Sequence, residues 1–141
     1  MNIEELHTFL KINNADYEII RHSKPILSTT DAEGLFDITK AVPVFIMKTE
    51  KGYMALIVSG SSGRIDFKLL KQKLQLKKLS MAGREEVLSE TGYEIGSIPL
   101  IGHNLPVILD KRIMETDYVY GGTGDAFYTL KINPKDVKRL N

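Results

Sequence analysis

Along the first dozen residues Ile3, Leu6, Phe9 and Leu10 recur at helical spacing among polar neighbours, which predicts a short amphipathic helix. "YEIIRH" (17–22) then reads as a strand. "STTDAEGLF" offers Ser and Thr caps with an acid in the first turn, so a short helix ending near Gly34 is expected. "AVPVFIMKT", the turn "EKGY" and "MALIVSG" form two apolar runs around a glycine-bearing turn, the pattern of a β-hairpin. Pro43 belongs near the start or edge of its strand, because it cannot donate to a ladder. "RIDFKLLKQKL" places Phe67, Leu70 and Leu74 on one helical face behind Asp66 as N-cap. A brief strand in "KKLSM" and a helix in "GREEVLSET" that stops at Gly92 follow. "LPVILD", "DYVYGG" and "AFYTLKI" are three further strands, and Asn133 with Pro134 opens a last helix in "NPKDVKRL". Strands and short helices interleave, but most connections are too short for parallel crossovers. The pattern therefore predicts an α/β mixed (α+β) fold: one domain over residues 1–141, with a central, mostly antiparallel or mixed curved sheet flanked by short helices.

Composition narrows the chemistry more than the fold. Nineteen Lys and Arg stand against eighteen Asp and Glu, for a formal net charge of +1. No global field draws in a polyanion, so any nucleic-acid partner must be met by a local patch. With no cysteine, a disulfide, a thiolate nucleophile and Cys-ligated zinc are excluded. The opening segment is polar and helix-like, unlike a signal peptide, and no apolar run approaches the ~20 residues that span a bilayer. The expectation is a cytoplasmic protein without a membrane partner.

Phosphate loops, HExxH, GxSxG and dinucleotide fingerprints are absent. His7, His22 and His103 lie far apart in sequence, so neither a metal nor another cofactor is expected. "GGTGD" (121–125) is glycine-rich; a tight hairpin and a phosphate cradle both fit it, though no helix start follows. Lys40 stands before the strand "AVPVFIM". There an ammonium either aims into a cleft, to bind a carboxylate or phosphate or polarise a carbonyl, or is simply solvated. Arg64, Lys68, Lys71, Lys73, Lys77 and Lys78 make a basic stripe, either a phosphate-backbone contact or the wet face of an amphipathic helix. "TGYEIGSIPLIG" (91–102) has no helical or alternating period. Three glycines and a proline let such a loop turn main-chain N–H and C=O groups toward a ligand, or merely connect two elements.

Taken in order, these pieces resemble the YbaK/prolyl-tRNA synthetase-associated domain family, free-standing relatives of the editing domain inserted in bacterial prolyl-tRNA synthetases. The resemblance runs from "YEIIRH" to "DVKRL". It rests on "TGYEIGSIPLIG" with "LPVILD" behind it, on "ITKAVPVFIM", on the loop and basic helix "VSGSSGRIDFKLLKQKL", and on "YVYGGTGDAFYTLKI". Gly96 and Pro99 stand one residue closer than in the family's Gly-x-x-x-Pro, which implies a loop of different reach. The resemblance implies trans-editing: hydrolysis of the ester joining a wrong, small amino acid such as Ala or Cys to a tRNA, above all tRNA for proline. It implies Lys40 as the catalytic lysine, with Lys48 as the second choice. Gly92, Gly96, Ser97, Ile98 and Pro99 would bind the aminoacyl adenosine, with His22 and Asp110 in support. Arg64, Lys68 and Lys71 would meet the tRNA acceptor end, and prolyl-tRNA synthetase is a further expected partner. A non-catalytic binder of aminoacyl-tRNA or nucleotide, or a module docking on a synthetase, are the alternatives.

Overall fold

The computed structural model describes residues 1–61 and 63–141. Helix α1 (Ile3–Ile12) begins at a capping box in which the Glu5 N–H donates to Asn2 Oδ1 and the Asn2 N–H to Glu5 Oε1. This satisfies two amide groups that a helix start otherwise leaves open. Strand β1 (Tyr17–Arg21) follows, then the short helix α2 (Thr29–Ala32) and a 3-10 turn at Ile38–Lys40. Strands β2 (Val44–Thr49) and β3 (Gly52–Ile57) form the expected hairpin, with Thr49 opposite Gly52. Pro43 sits one residue ahead of β2. Helix α3 (Phe67–Lys73) is capped by Asp66, whose carboxylate accepts from the Leu69 N–H. Strand β4 (Leu79–Met81), helix α4 (Arg84–Thr91), strands β5 (Val107–Leu109), β6 (Val119–Gly122) and β7 (Tyr128–Ile132), and helix α5 (Pro134–Arg139) complete the chain.

The strands divide between two sheets where the pattern suggested one. β4-β2-β3-β5 is mixed, because β5 runs parallel to β3; β1-β7-β6 is wholly antiparallel. A single bridge, Ala41 to Tyr120, links them, and the Val42 N–H donates to the Tyr120 carbonyl at 2.7 Å. The period-two alternation of β2 explains how one strand serves two layers. Val44 and Ile46 enter the main core with Leu6, Leu10, Val87, Leu100, Leu130 and Val137. Phe45 and Met47 face the other way, into a smaller core where Leu56 and Val58 meet Phe67 and Leu70 of α3. The two sheets and the loop of residues 92–106 thus meet around residues 41–45.

Candidate active site

At that meeting point lies a cleft of about 320 Å³. Ile26–Ser28 and Phe36 form one wall, Ala41–Phe45 the floor, and Ile95–Ile98 of the glycine loop the opposite wall. Tyr120–Thr123 of β6 and its turn close the end, with Asp125, Ala126, Tyr128 and Thr129 beside them. A second cavity of about 430 Å³ adjoins it, sharing Leu27, Ser97, Thr123, Asp125 and Ala126, and extending to Ile3, Glu94 and Phe127. The outer rim is apolar: Leu27, Ile95 and Phe127 are all exposed.

The close approach of backbones around the cleft requires glycine. A Cβ on Gly96 would stand 2.5 Å from the Leu27 carbonyl oxygen, and one on Gly122 would stand 2.3 Å from that of Ile98. Strand β6 and the loop are further tied by the Leu100 N–H, which donates to the Gly122 carbonyl at 3.0 Å. Within the loop, the Ser97 N–H is taken by the Glu94 carbonyl. The N–H groups of Gly96 and Ile98 have no acceptor among the described residues, although Ile98 is buried.

The cleft brings together only part of the expected residue set. Gly96, Ser97 and Ile98 line it. His22 stands behind it: its Nε2 lies 2.8 Å from the Thr129 hydroxyl, and buried Thr129 lines the cleft. Burial lowers the His22 pKa, which keeps the ring neutral near pH 7. Gly92 is the left-handed C-cap of α4, at φ 78°, and Pro99 is buried beyond the lining. Asp110 caps the 3-10 turn Lys111–Glu115 by accepting from the Arg112 N–H. It also accepts from the Ser59 N–H and pairs with the Arg112 side chain at 3.0 Å.

Lys40 does not line the cleft. Its ammonium pairs with Asp117 at 3.0 Å and lies 3.9 Å from the Tyr118 ring centroid. The hydrogen bond from Lys40 to Asp117 raises the lysine pKa and holds the cation in place. Tyr118 packs edge-on against Tyr120, a cleft residue, so Lys40 stands one aromatic ring away from the cavity. Lys48 pairs with Glu86 at 2.9 Å and is also absent from the lining. Arg64 and Lys68 are exposed and Lys71 half-buried. None of the three pairs with a carboxylate among the described residues. Among the described residues no lysine, arginine or histidine lines the cleft, and its one charged side chain is Asp125.

Sequence reasoning missed Phe36, Tyr120, Thr123, Asp125 and Thr129. The signal was present in "YVYGGTGD": two glycines on a strand mark a close backbone approach as well as a turn. Among the described residues no three His, Asp or Glu side chains are grouped to hold a metal, and no helix is long and apolar enough to cross a membrane.

The family model of the aminoacyl-tRNA editing domain matches residues 27–140. This chain belongs to that family. Every cleft residue except Ile26 falls within the matched span, whereas His22 and α1 precede it. The resemblance to YbaK-type domains read from the glycine loop therefore holds for the chain. Among curated relatives, a proline–tRNA ligase from Thermosipho melanesiensis is 29% identical over 99 residues, 69% of this chain and 17% of the ligase. The Bacillus subtilis protein YwhH, uncharacterized, is 29% identical over 94 residues, 65% of this chain and 59% of YwhH. The chain thus spans less than two thirds of either relative. Two solved structures share the fold. The hypothetical protein APE2540 superposes with a TM-score of 0.84 at 21% identity, covering 97% of this chain and 93% of its own. A candidate trans-editing enzyme for prolyl tRNA synthetase superposes at 0.81 and 23% identity, covering 97% and 89%.

Proposed function

We propose that this editing domain is a trans-acting deacylase. It hydrolyses the ester between a small non-cognate amino acid, such as Ala or Cys, and the 3′ end of a tRNA, with tRNA for proline first. The observation that carries the reading is the mostly apolar cleft, with Asp125 as its one charged side chain among the described residues, walled by Gly96–Ile98 and Gly121–Thr123. An aminoacyl ester is already activated. A site that holds it, orients one water and stabilises the oxyanion needs no strong nucleophile. The unengaged N–H groups of Gly96 and Ile98 are the donors assigned to the developing oxyanion. The Thr129 hydroxyl, fixed by neutral His22, orients the water. Phe36, Val44, Phe45 and Tyr120 limit the side chain by size, so that a bulkier residue clashes. Lys40, one ring removed, meets the phosphate of the terminal nucleotides. The relation to a proline–tRNA ligase supports tRNA for proline and makes the synthetase a candidate partner.

Deacylation of Ala-, Cys-, Ser- and Pro-charged tRNA for proline tests this directly. Rapid release of Ala or Cys with Pro spared is the expected result. Tight binding of the charged tRNAs without turnover identifies a non-catalytic binder instead. Neither binding nor turnover leaves a module that docks on another protein.

A further inference from the structure

We infer that Asp125 is a specificity-determining residue that reads the free α-ammonium of the amino acid in the cleft. This rests on the editing reading above and adds what part of the substrate, besides side-chain size, the site recognises. Among the described residues Asp125 is the one charged side chain lining the inner cavity, and it is shared with the outer one. Among the described residues, the outer cavity is otherwise bordered by the acid Glu94 and by Met1, whose terminal ammonium donates to the Tyr93 hydroxyl at 2.8 Å. The junction where an ester must lie, between an amino acid held inside and a nucleoside outside, therefore presents the Asp125 carboxylate. An aminoacyl ester carries its cation on the carbon next to the carbonyl, within reach of that junction.

The carboxylate is held for this role. Asp125 Oδ1 accepts from the Phe127 N–H at 2.9 Å, and the Asp125 N–H donates to the Thr123 hydroxyl. That hydroxyl in turn donates to the carbonyls of Asp125 and Tyr128. Thr123 is buried, so the turn is anchored, and Oδ2 has no partner among the described residues. A peptide or an N-acylated amino acid presents no cation here and forgoes the attraction. The site would thereby favour freshly charged, unblocked tRNA.

The test uses two non-hydrolysable amide analogues, 3′-alanylamido-3′-deoxyadenosine and its N-acetyl derivative, in NMR titrations of the wild-type protein and D125N. Asparagine retains an acceptor at Oδ1, so the turn survives. The free amine should bind about fivefold tighter than the acetylated analogue, the scale of a solvent-exposed ion pair. D125N should abolish that preference while binding the acetylated analogue as wild type does. The preference should also fade as pH rises past about 8, where an α-amino group loses its proton. Equal binding of both analogues by wild type, or a preference that persists in D125N, overturns the ammonium subsite alone. Failure of both analogues to bind overturns the editing reading and this subsite with it.

Discussion

Gly96 is the residue on which the shape of the cleft depends most directly. A methyl group there meets the Leu27 carbonyl oxygen at 2.5 Å, and backbone cannot yield as a flexible side chain would. Gly96→Ala must push the Ile26–Ser28 wall outward. We expect a stability loss of about 1–3 kcal/mol, typical of overpacking. We also expect a fall in kcat/KM of roughly 100-fold, as for a reacting group displaced by an ångström. Gly92→Ala is the contrast: its Cβ meets nothing within 4 Å, and only the left-handed φ of 78° is strained. It should cost about 1–2 kcal/mol and leave kcat unchanged. Melting curves and deacylation kinetics on both variants separate a cleft glycine from a helix cap. Lys40 divides along another line. Paired with Asp117 outside the cleft, its ammonium can serve the tRNA backbone without touching the ester. Lys40→Ala should raise KM several-fold with kcat nearly intact; a loss mainly in kcat would place the ammonium at the ester instead.

Elements were legible where caps and periods were local. Asp66, Gly92 and Asn133 mark the helix ends that the pattern indicated, and Pro43 stands ahead of β2. What the pattern left open was non-local: which strand runs parallel in the mixed sheet, β5 beside β3, and the division into two sheets. Neither leaves a trace in spacing, because both depend on which strand arrives beside which. Contacts between distant elements have titratable consequences. Glu86 at the start of α4 accepts from the Tyr53 hydroxyl at 2.6 Å, pairs with Lys48 and accepts from the Gly83 N–H, fastening α4 to β2 and β3. The Tyr53 bond first, then those from Lys48 and Gly83, pull the Glu86 carboxyl down to about 2 from its ordinary 4.5. On the loop after Gly102, buried His103 accepts the Leu105 N–H at Nδ1. Burial lowers its pKa below 6.5, and the Asn141 carboxamide offsets this only in part, without reaching hydrogen-bond geometry with Nε2. Both groups bind fewer protons folded than unfolded, so each destabilises the fold on acidification. Stability should be full above about pH 6.5. It should fall first as His103 is forced to protonate, with His22 adding the same sign, and again between about 4.5 and 2 as Glu86 does. Melting temperatures across this range check the two steps; Glu86→Gln should shrink the lower one, to which Asp37, Glu50, Asp110 and Asp117 contribute with the same sign, and His103→Asn should flatten the upper.

At the scale of the whole molecule, charge is sorted although its sum is only +1. The cavities carry carboxylates, whereas Arg64, Lys68 and Lys71 cluster about α3 without acidic partners among the described residues. Phe45 connects the two regions, lining the cleft and packing into the core beneath α3. A tRNA whose end enters the cavity and whose acceptor stem reaches α3 would use both regions. The stripe itself was readable as a run of like charges. The cleft was not, because Phe36, Phe45 and Asp125 reach it from three separate segments. If the stripe meets phosphates, each contact releases counterions, and the logarithm of affinity falls with log[salt] by about 0.7–0.9 per contact. Replacing Arg64, Lys68 and Lys71 together by Ala should lower that slope by about 2–3 for an acceptor-stem minihelix, with affinity loss greatest at low salt. Binding of the small aminoacyl-adenosine analogues, which lack the stem, should not change. Fluorescence anisotropy over a KCl series measures the slope. An unchanged slope would show that the stripe is only the solvated face of α3, and that tRNA approaches the cleft from the Lys40 side.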